Sequence, residues 1–222
     1  MSNEVAIWKF LIQRGLTEIA AAGVIGNLYA ESGLIPNNLQ NNYESSLRMN
    51  DWQYTTAVDN GTYDNFIYDA AGYGLAQWTF WSRKDGLLKR ARSLGCSVGD
   101  LSVQLDFLWS ELQEFGLVSK LNACSSVRSA SNLMLFEFEK PQDMGKSVQD
   151  ARAKWSQEFY DRLHGSTNVS TKVMPVSNSD EPKGEMYSVI AFGTFNDQAT
   201  AKAQLANLQG YGFTGLVVSQ VI

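Results

Sequence analysis

Residues 165–184 read GSTNVSTKVMPVSNSDEPKG, and this run constrains the chain more than any other feature. It is dominated by Ser, Thr, Asn, Pro and Gly and carries no apolar period, so it reads as a linker that cannot contribute to a core. The chain therefore divides into residues 1–164, a linker over 165–184, and a short segment, 185–222. The first piece is long enough to bury a sizeable core. The last falls near the ~40-residue size below which a chain buries too little surface to fold alone.

The first piece has a helical rhythm. Val5, Trp8, Leu11 and Ile12 recur at helical spacing and end at Gly15. Thr17 suits the N-cap of a second helix running to about Glu31, with Ile19, Val24, Ile25 and Leu28 on its face. Gly23 and Gly26 within it allow another backbone to come close, and Gly33 suits a left-handed C-cap. Residues 34–70 are polar, aromatic and irregular, compatible with a short helix over 44–58 or a hairpin within 55–70. Helices follow at about 80–94, 100–115 and 125–138. A last helix over 147–163 carries Val148, Ala151, Trp155, Phe159 and Leu163 on one side. The expectation is a mainly α domain followed by a small α+β segment.

Composition narrows the chemistry. Apolar residues make up 44% and charged residues 18% of 222, an ordinary globular balance. A net charge of −5 argues against a phosphate-binding surface, so nucleic acid is not expected as a partner. Cys96 and Cys124 fit no zinc spacing; they could form one bridge but read first as two buried thiols. The single histidine, His164, sits at a helix end beside Gly165. Ser-His-Asp, Cys-His and multi-histidine zinc chemistry would all have to share that one residue. Hydrolysis by this chain must rest on carboxylates, with no metal and no cofactor expected.

Glu31 stands out among them. It closes an apolar, glycine-containing helix, where the negative end of the helix dipole disfavours a charged carboxylate. Burial in a cleft would act in the same direction. Both favour a protonated acid, which is what cleavage of a glycosidic bond requires. By spacing alone, a surface glutamate near a helix end is the more ordinary reading.

Three segments then appear in order: AAGVIGNLYAESGLIPNNLQ, NFIYDAAGYGLAQWTFWSRK and FEFEKPQDMGKSVQDARAKW. The pair Glu31-Ser32 with Pro36, and Gly74-Leu75-Ala76-Gln77, resembles goose-type lysozymes and lytic transglycosylases. The three segments together resemble the phage tail-tip lysozyme and endolysin muramidase family over most of residues 5–163. The resemblance implies a lysozyme-like fold and cleavage of peptidoglycan glycan strands, with Glu31 as general acid. It places a water-activating aspartate near Asp69, one residue off the family spacing, with Asp64, Asp59 and Asp51 as rivals. Gln77 resembles the glutamine facing the glycan, and Tyr73, Trp78 and Trp81 are candidates for stacking on sugars, at least one Trp serving the core instead. Ser82-Arg83-Lys84 reads as a solvated helix start.

The segment 185–222 resembles half of a SPOR domain, a βαββαβ fold that binds peptidoglycan glycan strands. Met186–Phe192 reads as a strand, 198–208 as a helix and Thr214–Val221 as a second strand. Half of a four-stranded sheet invites two copies to pair, which would give a homodimer through 185–222.

The reading that results is an endolysin-type muramidase cutting the β-1,4 bond between N-acetylmuramic acid and N-acetylglucosamine. A lytic transglycosylase giving 1,6-anhydro ends, or a non-catalytic wall-binding or virion component, are its alternatives. The start Met-Ser-Asn-Glu-Val lacks the basic and apolar regions of a signal, and no stretch approaches ~20 apolar residues. The expectation is synthesis in the host cytoplasm without a signal peptide, then action on the wall after holin-dependent release or as a phage particle component.

Overall fold

The computed structural model describes residues 2–165. The linker, the strand–helix–strand reading of 185–222 and the pairing of two copies lie outside the described residues. Within them the mainly α expectation holds. Among the described residues there are nine α-helices and no strand beyond two isolated β-bridges.

α1 (Asn3–Gln13) buries Ile7, Trp8 and Leu11 along one stripe. α2 (Glu18–Ser32) starts where Thr17 Oγ1 accepts from the Ala20 amide and ends on Gly33 in the left-handed region at φ 63°. From Ala20 to Leu28 every residue of α2 is buried. A helix apolar all round must run through the core rather than along its surface. Its neighbours α8 (Val127–Leu133) and α9 (Lys146–Leu163) approach through the two glycines. A Cβ on Gly23 would fall 2.5 Å from the Ala130 Cβ, and one on Gly26 2.5 Å from the Ser156 backbone nitrogen.

The buried face of α9 is rotated from the sequence expectation. Arg152, Ala153, Ser156, Phe159 and Leu163 are buried, while Val148, Ala151 and Trp155 are half-buried. The contact with α2 is made by a small residue at Gly26 and by polar groups, so the apolar period alone misplaces the face.

Two short helices, α3 (Asn41–Leu47) and α4 (Asp51–Asp59), occupy the irregular stretch, where no hairpin forms. Then α5 (Trp81–Leu94), α6 (Leu101–Glu114) and α7 (Leu117–Asn122) complete the wall. Between α4 and α5 the segment Gly72-Tyr73-Gly74-Leu75-Ala76-Gln77-Trp78 folds into a tight hook. The Tyr73 and Trp78 backbones bond to each other at 3.2 and 2.9 Å, and Gly72 and Gly74 bond to residues 40 and 38. Gln104 of α6, fully buried, accepts from the Leu75 amide and donates to the Pro36 and Val98 carbonyls. A Cβ on Gly74 would collide with the Gln104 amide at 2.6 Å, and φ is +76° there, so both space and backbone require glycine.

After α8 the chain makes a π-helical turn, Met134–Glu139, closed by Lys140 at φ 48°. Among the described residues no helix is long and apolar enough to cross a membrane. Cys96 and Cys124 are free thiols. His164 is exposed at the end of α9, stacked on Tyr160 at 4.9 Å.

Candidate functional site

Glu31 lies in the last turn of α2. Its neighbour Ser32 donates from Oγ to the Leu28 carbonyl at 3.1 Å and to the Leu75 carbonyl at 2.9 Å. The second bond fixes the helix end to the Gly74–Gln77 hook. Arg152 reaches over from α9: Nη2 donates to Glu31 Oε1 at 2.5 Å and Nη1 to Asn27 Oδ1 at 3.1 Å. Asn27 is itself held inside α2 by donating to the Gly23 and Ser131 carbonyls at 2.8 and 3.1 Å. The guanidinium is thus aimed by a buried amide at the Glu31 carboxylate, which keeps 19% of its side-chain surface open to solvent.

A second carboxyl, Glu139, feels the charges of this pair. It ends the π-helical turn, and its Oε1 is buried with no hydrogen-bond partner. Desolvation first, and the charge of Glu31 second, hold the Glu139 carboxyl well above the usual carboxylate range, against the opposing pull of Arg83 and Arg152.

Behind Glu139 sits a second ion pair. Arg83 donates from Nε and Nη2 to the two oxygens of Glu111 at 2.6 and 2.9 Å, and Trp78 Nε1 donates to Glu111 Oε2 at 2.7 Å. Burial alone would lower the Arg83 pKa, but the bonds and charge of Glu111 raise it, so the guanidinium is held charged. Its face also covers the Phe138 ring at 4.7 Å. An open groove of about 760 Å³ runs past this cluster, lined by Phe80, Arg83, Phe115, Phe136 and Glu139 among others. Phe80, Phe115 and Phe136 are exposed on it, as is Trp81 beside Phe80.

Asp69, the expected water-activating carboxylate, is enclosed by donors. Its side chain is 2% exposed. Oδ1 accepts from Lys84 Nζ at 2.5 Å and the Ala71 amide at 2.9 Å, and Oδ2 from the Tyr54 and Tyr63 hydroxyls at 2.5 and 3.0 Å. Four donors fill the acceptor sites of one carboxylate, so no lone pair is left for water. Burial, then the Asp69 bond and charge, push the Tyr54 hydroxyl far up, and burial pushes Tyr63 to about 12, so both stay donors. Lys84, fully buried, also donates to the Ala71 carbonyl at 2.8 Å and lies over the Phe66 ring at 4.5 Å. Asp69–Lys84 is an ion pair that closes the 59–71 loop onto α5.

Two of the rivals also accept hydrogen bonds. Asp51 accepts from the Leu39 amide at 2.8 Å, and Asp59 accepts from Ser97 Oγ and the Val98 amide at 2.5 and 2.8 Å. Asp64 is exposed ahead of a 3₁₀ turn.

Tyr73 and Trp78 are fully buried, so neither offers a ring face to a sugar. Tyr73 shares a 2.7 Å hydrogen bond with Thr55, and Trp78 packs edge-on against Phe107. Trp81, 52% exposed, is the tryptophan of this stretch left open to a ligand. Gln77 sits at φ 46° and donates its amide to Asn38 and to the Gly74 carbonyl, which leaves its carbonyl oxygen as an acceptor. The run 82–84 is no solvated helix start, since Arg83 and Lys84 are both engaged in ion pairs and Lys84 is fully buried.

Sequence reasoning missed Glu139, Arg152, Arg83 and Glu111. The signal was available in part: Glu139 and Arg152 both lie in the segment FEFEKPQDMGKSVQDARAKW. Charged residues there resist a surface reading, because long side chains in an otherwise apolar pattern are buried only when paired. Among the described residues no group of three or more His, Cys, Asp and Glu side chains is arranged to hold a metal ion.

No curated protein matches the sequence. A family model described as phage tail lysozyme does match it, over residues 2–163. That span holds the buried α2, the hook and the Glu31–Arg152 pair. The chain belongs to the phage tail lysozyme family, and its activity is of the peptidoglycan-lytic, lysozyme-like kind.

Proposed function

We propose that the domain cuts the β-1,4 bond between N-acetylmuramic acid and N-acetylglucosamine, with Glu31 delivering the proton to the leaving oxygen. The observation that carries this reading is the end of α2. There the partly exposed Glu31 carboxylate is held by Arg152, and the Ser32–Leu75 bond fixes the helix end to the hook. General acid catalysis needs a positioned proton donor at a cleft, and arginines nearby can balance the charge left after proton transfer. Trp81 and the carbonyl of Gln77 supply a stacking face and an acceptor suited to a sugar ring and its N-acetyl group.

One observation favours a second reading. With its lone pairs filled, Asp69 cannot activate water in the way an inverting hydrolase requires. A lytic transglycosylase needs no such base, because the muramic acid's own hydroxyl closes the ring.

Mass spectrometry of digested cell walls tests both. Reducing muramic acid ends support hydrolysis, and 1,6-anhydro ends support transglycosylation. Released peptides with intact glycan would refute both. Loss of wall clearing in Glu31→Gln, with the fold retained, would exclude a purely binding role.

A further inference from the structure

We propose that Arg152 is a positioning residue that decides which oxygen of Glu31 carries the catalytic proton: the guanidinium claims Oε1, so the proton rides on Oε2. This rests on the reading of Glu31 as the acid and deepens it.

Asn27 sets the geometry. It lies fully buried in the middle of α2. Its Nδ2 donates to the Gly23 carbonyl at 2.8 Å, the Ser131 carbonyl at 3.1 Å and Ser131 Oγ at 3.2 Å. A flipped amide would set its oxygen against two carbonyl oxygens, so Oδ1 is the end that must face Arg152. There it accepts from Arg152 Nη1 at 3.1 Å. A guanidinium is a planar, rigid fork, so anchoring one nitrogen aims the other. Nη2 meets Glu31 Oε1 at 2.5 Å. Arg152 is itself buried, which leaves the fork little room to turn. The helix end that carries the acid is held independently, by the Ser32–Leu75 bond.

A guanidinium donates and never accepts. The carboxyl oxygen facing it must therefore be the acceptor, because an O–H there would point hydrogen at hydrogen. A protonated Glu31 thus keeps Oε1 as its carbonyl oxygen and holds the proton on Oε2. Among the described residues no hydrogen bond occupies Oε2, and the side chain keeps part of its surface open to solvent. The same Oε1 bond serves both charge states, so the carboxyl need not rotate during the reaction.

The step balances. As the glycosidic C1–O bond breaks, its electron pair stays on the leaving oxygen, which takes the proton from Oε2. Glu31 is left a carboxylate, and its bond to Arg152 then joins two full charges and strengthens. A contact that is stronger after proton transfer than before it lowers the barrier instead of merely tightening binding. The water or sugar hydroxyl that adds to C1 returns its proton to Oε2. Arg152 touches no reacting atom and acts through Glu31.

Steady-state kinetics of the full chain on soluble, peptide-free glycan strands test this. Arg152→Lys keeps the charge but replaces the fork by a single nitrogen, which cannot hold Asn27 and Glu31 in one plane. Measured well below the Tm, kcat should fall by roughly 10- to 100-fold while KM stays within about threefold. A wild-type kcat overturns the proposal, and so does a loss confined to KM. A lowered Tm with unchanged kcat per folded molecule means a structural role only and also overturns it. If Arg152→Lys does not fold, nitrogen-15 NMR of the wild-type guanidinium groups decides. Separate, slowly exchanging Nη signals for Arg152 support the fork, and averaged signals overturn it. A Glu31→Gln protein that still clears walls sinks the reading of Glu31 as the acid. An inactive Glu31→Gln beside a fully active Arg152→Lys sinks only the role of Arg152.

Discussion

Gly26→Ala should weaken the fold and the site together, because Gly26 sets the distance between α2 and α9. A Cβ there would meet Ser156 Oγ within van der Waals overlap and lie 2.5 Å from Ser156 N and 2.6 Å from its Cα. Ordinary contact begins near 3.4 Å, so α9 must retreat by roughly 1 Å, and backbone cannot step aside as a side chain can. Overpacking of this kind costs up to about 3 kcal/mol, and the helix-propensity gain of alanine over glycine returns about 1. The net loss of about 2 kcal/mol corresponds to roughly 4–8 °C in Tm for a domain of this size. α9 also carries Arg152, so the same retreat pulls the guanidinium from Glu31. A displacement of ~1 Å at a catalytic group can cost on the order of 10²-fold in rate. Thermal denaturation gives the first quantity. Clearing of a cell-wall suspension, measured well below the Tm, gives the second. Ser156→Ala alone should be neutral or slightly stabilising, because Ser156 Oγ is buried without a partner. It should not rescue Gly26→Ala, since the backbone atoms remain in place. A Gly26→Ala protein with wild-type Tm and clearing rate, or full rescue by Ser156→Ala, would refute the reasoning.

Other expectations follow from the same contacts. Asp69→Asn strands the buried Lys84 ammonium and should cost about 3–5 kcal/mol in denaturant titrations, while activity per folded molecule stays within severalfold; a stable variant with activity reduced a hundredfold would restore Asp69 as a base. Trp78→Ala should lose about 3–5 kcal/mol in the same titrations, as a buried ring with a hydrogen-bonded indole. Trp81→Ala should lie within about 0.5 kcal/mol of the wild type and act on KM for soluble glycan fragments instead. The pH dependence of stability also carries a sign. Folding raises the proton affinity of Glu139. The native state therefore binds more protons than the unfolded one above pH ~4.3, and stability falls as pH rises toward the folded value, by up to about 1.4 kcal/mol per unit. The Tm of Glu139→Gln relative to wild type should climb from pH 4 to pH 8, and a constant offset would contradict this.

The scaffold was legible where local chemistry decides it. Thr17 and Gly33 bound α2 as cap residues do, and Gly23 and Gly26 sit where α8 and α9 come close. His164 at a helix end also matches. The losses share one physical cause. Periodicity reports apolar faces, and the important contacts here are polar or glycine-mediated. The inward stripe of α9 is led by Arg152 and Ser156, so the apolar pattern points about one residue away. Tyr73 and Trp78 follow from the hook, whose backbone pairing turns both rings inward and leaves Trp81, at the start of α5, to the outside. Asp69 sits close to where an aspartate base would be expected, but no spacing rule shows Lys84, Tyr54 and Tyr63 converging on it.

The three sequence segments that carry the family resemblance act as one device because each closes a contact the others leave open. The first supplies Glu31, and Ser32 reaches from it to the Leu75 carbonyl of the second. The second continues into α5, where Arg83 takes the Glu111 carboxylate that Trp78 also holds. The third brings Arg152 onto Glu31. The three segments are therefore tied by the Ser32–Leu75 bond and by two ion pairs, Glu31–Arg152 and Arg83–Glu111. Removing any one segment would leave a buried charge without its partner, which costs far more than the pair itself contributes. The order and spacing of the segments are thus bound by electrostatics as well as by the reaction, and a chain that kept Glu31 but lost Arg152 would hold its acid in an unbalanced field.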